Sequence, residues 1–343
     1  MKILYHIPNP RGIGADRWIY TGWKNAFTNL GHHVFELTAF DTLEEKGRAV
    51  APDVFMTAVN LIDFTKDVPM LKEMRKNGTR VALWIHWPLV RDAVKATEAA
   101  ESCLLGENIA DVYFGEREPE GMGDFEERTS KKYHVIPHGA DRLFHFPVVP
   151  VSKYSYDIVY LGARLGHKRW FFDNVLRPLR RRHRVGIFGP YWTLKDNLLR
   201  AGQKACMKMK FRKGAELLND LRITIPPDEE NALYSSAKIC LNFHEREPDG
   251  SQPHYIVNQR TFKICACGGF QICDHVPAIR KYFAEDELVM ARIDKDDWLD
   301  KIDYYITHDK EREEIRRRGT DKALRDHTYH NRVKQLIDLL GSL

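Results

Sequence analysis

The sequence contains no hydrophobic run long enough to cross a membrane. A transmembrane helix needs about 20 consecutive apolar residues, and charged or polar residues interrupt the apolar stretches of this 343-residue chain before that length. The N-terminal stretch MKILYHIPNP is typical of a short strand and not of a secretory leader, which has a longer apolar core. These features predict a cytoplasmic protein with no transmembrane segment.

Cysteine is scarce, and its spacing fits neither a disulfide framework nor a zinc site. The six cysteines are Cys103, Cys206, Cys240, Cys265, Cys267 and Cys273. They lie in apolar surroundings, and the one close pair is C-x-C, whereas structural zinc sites use wider pairs. We predict reduced, mostly packed thiols and no bound metal.

A strong excess of one charge sign is also absent. Lysine and arginine total 53 against 48 aspartates and glutamates, which gives a formal net charge of +5. This balance is compatible with an anionic ligand such as a nucleotide and is not in itself evidence for nucleic acid. Hydrophobic residues make up 43% of the chain, which is typical of a globular protein and, at this length, allows two domains.

Short apolar strands alternate with helical stretches in both halves of the chain, which predicts parallel sheets covered by helices. Strands are predicted at Lys2–Ile7, His33–Ala39, Asp53–Val59, Arg80–His86, Val112–Gly115, His134–Pro137, Asp157–Gly162, Arg184–Gly189, Ala237–Phe243 and Gly269–Cys273. We predict an N-terminal domain over 1–147, a Pro-rich linker over 148–156 and a second domain over 157–320. The remaining helix, 321–343, could cross back to the first domain. Two such domains place a ligand site in the cleft between them.

A cationic turn in the second half is the first sign of an anionic ligand. In YDIVYLGARLGHKRWFF, a strand ends at Gly162 and a helix begins near Trp170. Between them stand Gly166 and the cations Arg164, Lys168 and Arg169. Glycine lets a ligand approach the backbone, and cations beside a helix start attract phosphate. In isolation, such a stretch is more often a solvated basic turn.

A second cationic element lies in NQRTFKICACGGFQICD, Asn258–Asp274. Arg260 and Lys263 are three positions apart and therefore share one face of the predicted helix. The pair Gly268-Gly269 then returns the chain to the sheet. Two cationic turns at corresponding sheet ends suit a diphosphate better than either turn alone.

Taken together, these motifs resemble the GT-B glycosyltransferases, in particular the spore-maturation-type or group 1 family. The matching pattern is a strand followed by Gly-x6-Arg, the strand VGIFG, the strand KICLNFH, N-x-R-x-F-[E/K]-x-x-A-x-G-G and the tail HTYHNRVKQLIDLL. The stretch IPHGADRLFHFP resembles the end of the N-terminal domain in the same superfamily. More distantly, the chain resembles the DNA β-glucosyltransferases of T-even phages.

The resemblance implies an α/β fold of GT-B type, with two doubly wound Rossmann-like domains facing each other across a cleft. It implies transfer of a sugar from a nucleotide sugar, most often a UDP-sugar, to an acceptor hydroxyl without a metal or further cofactor. The implied phosphate-binding cations are Arg169, Arg260, Lys263, Arg164 and Lys168. The implied nucleotide or sugar contacts are Gly162, Gly189, Gly268, Gly269, His254 and Asn258, with the base held after Gly189 and around Thr224–Asp228.

Two positions depart from the family pattern. Lys263 stands where the family usually has a glutamate that accepts hydrogen bonds from the ribose hydroxyls, and lysine is a donor only. Either the ribose is held otherwise, or Lys263 is a further phosphate cation. Tyr255 stands where many retaining relatives have a second glutamate, so the stereochemical outcome stays open.

A histidine is the candidate catalytic residue of the first half. In VALWIHWPL, His86 follows a strand at the predicted carboxyl edge of the first sheet. The ordinary histidine pKa of about 6.5 suits a general base, and in this superfamily an Asp or His at this edge faces the reacting sugar. A packing role is nearly as good an interpretation. The loop NPRGIGADR, with Gly12, Gly14 and the capping candidate Asp16, is expected to border sugar and acceptor.

The acceptor stays open at this stage. A glycan comes first on the family resemblance, and a hydroxymethylated base of phage DNA comes second. The basic clusters RPLRRRHR and KACMKMKFRK could follow a nucleic-acid backbone. A catalytically silent sugar-nucleotide binder is the rival from another class, because both glutamates are missing. The DKDD stretch at 294–297 is interpreted as a helix cap and not as a metal motif. Glu245, Glu247, Asp249 and His254 are loop candidates for contact with the sugar.

Overall fold

The computed structural model describes residues 1–10, 12–89, 97–246, 251, 253–293 and 297–342. These residues form two compact units, each built on a parallel sheet. The first unit comprises residues 1–10, Trp23–Pro137 and the segment from His330 onward, and the second comprises 12–22 and His138–Tyr329. Each unit is described separately below.

The first unit holds a six-stranded parallel sheet in the order β2-β1-β3-β4-β5-β6. Its strands are β1 (Lys2–His6), β2 (His33–Leu37), β3 (Val54–Ala58), β4 (Arg80–Trp84), β5 (Val112–Gly115) and β6 (Tyr133–Val135). The helices up to this point are α1 (Ala15–Asn29), α2 (Leu43–Val50), α3 (Val68–Lys76), α4 (Thr97–Gly106) and α5 (Phe125–Thr129). Helix α2 is capped by Thr42, whose hydroxyl accepts from Glu45 N–H and donates to the Glu45 carboxylate.

The second unit holds a five-stranded parallel sheet in the order β11-β10-β9-β7-β8. Its strands are β7 (Ile158–Leu161), β8 (Val185–Phe188), β9 (Ile239–Asn242), β10 (Gln271–Asp274) and β11 (Val289–Ala291). Helix α6 (Arg169–Phe171) continues through a π-helical stretch (Phe172–Leu176) into α7 (Arg177–Leu179). The helices that follow are α8 (Leu194–Lys208), α9 (Arg212–Asp220), α10 (Glu230–Ser236), α11 (Gln259–Ala266), α12 (Trp298–Thr307), α13 (Asp309–Asp326) and α14 (Tyr329–Gly341). The residues of α14 from His330 onward belong to the first unit. Short 3₁₀ turns occupy Pro119–Gly121, Ser152–Tyr154, Gly166–Lys168, Pro227–Glu229 and Pro277–Lys281.

The boundary between the units differs from the predicted one at 147. The chain enters the second unit at His138 because the residues that follow are bonded within that unit. Ala140 forms an isolated bridge with Thr328, and the ring of His145 contacts that of Trp18 with centroids 4.7 Å apart. The Pro-rich composition around 147 therefore marks an irregular segment and not the point where the units divide.

The fold class is the predicted α/β arrangement of two parallel sheets with flanking helices. In the second unit, aromatic rings hold the sheet to its helices: Phe171 stacks on Phe243 at 4.7 Å and contacts Trp298 at 5.3 Å. The carboxyl ends of adjacent parallel strands lie at one edge of a sheet, so the loops after β7 and β8 begin side by side. Among the described residues, no helix is both long enough and apolar enough to span a bilayer.

Candidate functional site

A cavity of about 150 Å³ opens in the second unit at the carboxyl ends of β7 and β8. It lies among the loops after these strands, the first turns of α1, the start of α10 and one face of α11. Its lining includes the predicted site residues Gly14, Gly162, Lys168, Gly189, Arg260 and Lys263. Thr224, Ile225 and Pro227, from the segment expected to hold the base, line it as well.

Two glycines let the strand ends approach each other at the floor of this cavity. A Cβ on Gly162 would lie 2.6 Å from Arg260 Nη1, so only glycine leaves room for the guanidinium there. Gly189 has φ +116°, and a Cβ on it would lie 2.6 Å from the Gly162 carbonyl oxygen. The Gly189 N–H donates to Thr224 Oγ1 at 2.9 Å, which ties the second loop to the segment before α10.

Arg260 is held in the cavity by its neighbours. Its Nη1 donates to the carbonyl oxygen of Leu161 at 3.0 Å, and its guanidinium carbon lies 5.6 Å from the centre of the Tyr160 ring. An arginine carries five N–H donors, so this one contact leaves donors for a ligand. The half-buried side chain is therefore fixed in direction and able to bind an anion.

Lys168 is the second cation of the cavity. Its side chain is only 1% exposed, and burial, together with the positive charge of Arg260, lowers its pKa to about 7. The Glu245 carboxylate, with Oε1 3.9 Å from Lys168 Nζ, acts in the opposite direction. A buried ammonium beside a guanidinium needs a nearby negative charge, and Glu245 supplies one in the structure.

Arg169, by contrast, does not point into this cavity. Its side chain is 87% exposed, and its Nε lies 3.3 Å from Asp173 Oδ2. The 3₁₀ turn Gly166–Lys168 leads directly into α6, so the neighbouring side chains of Lys168 and Arg169 point in different directions. The structure thus brings Arg260 together with Lys168 and leaves Arg169, which the family resemblance also implied as a phosphate-binding cation, outside the cavity lining.

Arg164 and Arg169 share a separate, wider concavity with Arg177 and Arg200. Arg164 lies over the ring of Trp192 at 6.0 Å, and Arg200 lies over that of Tyr191 at 4.6 Å. We call this group, Arg164, Arg169, Arg177 and Arg200, the arginine cluster.

Lys263 forms a buried ion pair with Glu230, the first residue of α10. Its Nζ also lies 5.5 Å from the centre of the Trp18 ring. Burial lowers the pKa of Lys263, and the Glu230 carboxylate acts against that shift. The cavity therefore contains a carboxylate after all, supplied from α10 instead of α11. Sequence reasoning missed Glu230, although an unexplained lysine at the usual glutamate position was a sign that a partner should exist.

The remaining residues predicted in the second unit shape the surrounding backbone. Gly268 has φ +71° and, with Gly269, turns the chain from α11 into β10. Asn258 caps α11, with its Oδ1 accepting from Thr261 N–H at 3.1 Å. His254 is exposed beside Tyr255. None of these four residues, which were predicted to contact the nucleotide or sugar, is among the described residues that line the cavity.

The loop before α1 carries three further predicted residues. Gly14 lines the cavity, Asp16 lies in the first turn of α1, and Gly12 precedes them in the same loop. Of the other loop candidates, Glu245 lines the cavity, whereas Glu247 and Asp249 lie outside the described residues, as do residues 294–296 of the DKDD stretch. No cluster of three His, Cys, Asp or Glu side chains suited to a metal occurs in the described part of the chain.

His86 lies in the first unit, just after β4, with its side chain 44% exposed. Its Nδ1 is 3.7 Å from Oε1 of Glu116, which follows the adjacent strand β5. The other Glu116 oxygen accepts a hydrogen bond from Trp84 Nε1, so the carboxylate is held in place. A carboxylate behind an exposed imidazole can orient the ring, as a general base requires. Trp84 and Trp87 are buried and serve packing.

Comparison with known proteins gives consistent results. Residues 168–338, about half of the chain, match a family model described as glycosyl transferase-like. An α-glucosyltransferase in complex with UDP and a 13-mer DNA containing an HMU base superposes with a TM-score of 0.67 at 12% identity, over 99% of each chain. Sucrose-phosphate synthase from Thermosynechococcus elongatus gives 0.64 at 13% identity, over 100% of this chain and 98% of that one.

HepE from Anabaena in complex with UDP and glucose gives a TM-score of 0.60 at 12% identity, over the full length of both chains. No curated protein matches the sequence. At such identities the likeness to solved structures shows the fold.

Proposed function

The chain belongs to the glycosyl transferase-like family with the GT-B fold, and from this premise we propose that it transfers a sugar from a UDP-sugar to an acceptor hydroxyl, with a glycan as the acceptor. The observation that carries the proposal is the convergence of Lys168 and Arg260 on one cavity with a glycine floor. The UDP named with two of the similar structures supports the choice of nucleotide.

The proposed chemistry depends on charge. Transfer leaves a nucleoside diphosphate, and preorganised cations lower the barrier by stabilising the negative charge that develops on it. Lys168 and Arg260 supply that charge in the cavity, so we expect transfer to proceed in the presence of a metal chelator. Glu230 is proposed to accept hydrogen bonds from the ribose hydroxyls, a role that Lys263 cannot perform. His86, oriented by Glu116, is proposed to remove the proton from the attacking hydroxyl.

A thermal-shift panel of nucleotide sugars tests the proposal. A ligand at 100 times its Kd stabilises the folded protein by about 2.7 kcal/mol, so a UDP-sugar should raise the melting temperature where GDP-, ADP- and CMP-sugars do not. Stabilisation by a different nucleotide sugar would change the assigned donor but leave the proposed enzyme class unchanged. No stabilisation by any of them would contradict the proposed cavity.

Replacing Arg260 by alanine should weaken binding of UDP. Hydrogen bonds to charged groups contribute roughly 1.5–3 kcal/mol, and this side chain is fixed in the cavity by the Leu161 carbonyl. Calorimetric titration of UDP checks the result. Arg169→Ala is the matched control, because that exposed arginine lies outside the cavity lining. An equal loss in both variants would show that the phosphate site includes Arg169.

Donor affinity should fall as the pH rises through about 7, the pKa of Lys168. Below this value the ammonium is charged and attracts the diphosphate, whereas above it the amine is neutral. Linkage allows a loss of up to about tenfold per pH unit above the pKa. The test is calorimetry with a UDP-sugar, whose diester diphosphate does not titrate near neutrality. Lys168→Arg should bind with a flat pH profile, and an unchanged slope in that variant would exclude Lys168 as the titrating group.

DNA is a second candidate acceptor, and the arginine cluster favours it. Four arginines line one open concavity that begins two residues after Gly162, and neutralised backbone phosphates make binding strongly salt-dependent. Duplex binding that collapses with modest salt and is lost in Arg177→Ala/Arg200→Ala would support this acceptor.

If the protein is instead a catalytically silent binder, it should bind a UDP-sugar without releasing UDP. A UDP-release assay distinguishes this case from transfer.

A further inference from the structure

Helix α8 carries an apolar stripe that faces solvent. Leu194, Leu198 and Met209 are 75%, 64% and 69% exposed, and Ala201 and Ala205 lie exposed between them. These positions recur at intervals of three and four residues, so they lie along one side of the helix and its C-cap. We call these five residues the outer stripe.

The opposite side of α8 is held by polar contacts. Gln203, which is buried, donates to Asn219 Oδ1 of α9 at 3.1 Å and accepts from Arg222 Nη1 at 2.7 Å. Arg222 Nε in turn lies 2.8 Å from Asp196 Oδ1. Amphipathic helices normally bury their leucines and expose their amides. In α8, by contrast, Leu194 and Leu198 are exposed while Gln203 is buried. An exposed apolar stripe of this kind is a common sign of a surface that docks on an apolar phase.

Cations border the outer stripe. Lys204 and Lys208 lie on successive turns of α8 along one edge of it, and the run from Lys204 to Lys213 contains five cations and no acidic residue. The nearby acids are engaged elsewhere. Asp196 binds Arg222 and accepts from Tyr191 N–H, and Glu216 pairs with Arg212.

We propose that the outer stripe docks on a bilayer surface that carries anionic lipids. Leucine and methionine side chains enter the boundary between headgroups and acyl chains, while flanking lysines are attracted to lipid phosphates. The phosphates of a DNA duplex would attract the lysines and leave the leucines in water. A second copy of the chain would bring two lysine-bordered stripes together, and their like charges would repel.

Vesicle co-sedimentation of the full chain at physiological salt tests the proposal, and it requires no donor sugar. The protein should sediment with vesicles of phosphatidylglycerol and phosphatidylcholine and stay in solution with phosphatidylcholine alone. Leu194→Ser/Leu198→Ser should weaken partitioning by at least about tenfold, because both leucines enter the boundary. Lys204→Gln/Lys208→Gln should weaken it on the order of fivefold for each lysine. Leu143→Ser/Val149→Ser, which changes exposed apolar residues elsewhere in the second unit, should bind as the wild type.

Three outcomes would overturn the proposal. The first is absence of binding to anionic vesicles, and the second is wild-type binding by the leucine variant. The third is a dimer in sedimentation velocity that becomes a monomer when Leu194 and Leu198 are changed, which would make a second copy the occupant. Unchanged melting temperatures and UDP-sugar affinities of the variants separate lost docking from lost folding and from a failure of the proposed function.

Discussion

Exchanging the charges of the buried pair, in Lys263→Glu/Glu230→Lys, should restore most of the stability that either single change removes. Each single change places two like charges side by side in a site where both side chains are about 5% exposed. Breaking a buried ion pair by altering one partner costs about 3–5 kcal/mol of unfolding free energy. The double variant re-forms an opposite-charge pair in the same place, so its loss should be well below the sum of the singles.

Urea unfolding of the wild type, both single variants and the double variant gives the coupling energy directly. The neighbouring pair Lys153–Glu229 is a matched control, because it joins the adjacent glutamate to a lysine at the surface. Exposed pairs contribute little, so the same exchange there should cost only the small net contribution of one hydrogen bond, which Tyr154 donates to Glu229. If the buried double variant loses as much as the two single variants together, the two side chains are not energetically paired.

The same double variant tests the proposed ribose contact. It places a carboxylate at 263, the position at which the resembling family carries its ribose-binding glutamate, and moves the ammonium to α10. UDP-sugar affinity should therefore survive the exchange. Glu230→Gln should weaken it, because an amide is a poorer acceptor for two hydroxyls than a carboxylate. Retained affinity in Glu230→Gln would leave Glu230 with a structural function only.

The sequence predicted the fold well because the fold depends on local patterns. Each short apolar run that was predicted as a strand forms one, with ends that differ by a few residues, because period and turn residues are local signals. The boundary at His138, and the point at His330 where the chain returns to the first unit, depend on packing between segments far apart in sequence. No local pattern encodes such contacts.

The site was predicted only in part, because some of its residues depend on contacts that no local pattern encodes. Arg260, Lys168 and the two glycines stand in motifs whose spacing determines where they lie. Lys168 and Arg169 are neighbours with equal charge, and only the 3₁₀ turn before α6 decides which one enters the cavity. The roles of Glu230 and Glu116 depend on their partners, Lys263 and His86, which are 33 and 30 residues away along the chain. In sequence they are ordinary glutamates, one in an acidic run and one at a strand end.

His86→Ala should lower the rate of sugar transfer by about 10²- to 10⁴-fold, the usual contribution of a positioned general base. The affinity for UDP should stay unchanged, because His86 is outside the lining of the nucleotide cavity. UDP release under single-turnover conditions measures this with water as the acceptor, so the natural acceptor need not be identified. Glu116→Gln should give a smaller loss, because it keeps the shape behind the imidazole and changes only the carboxylate that orients the ring. His33→Ala, at an exposed histidine of β2 in the same unit, is the matched control and should release UDP at the wild-type rate. A His86→Ala variant with normal UDP release and a lowered melting temperature would establish packing as the function of this histidine and would move the search for the base to other groups.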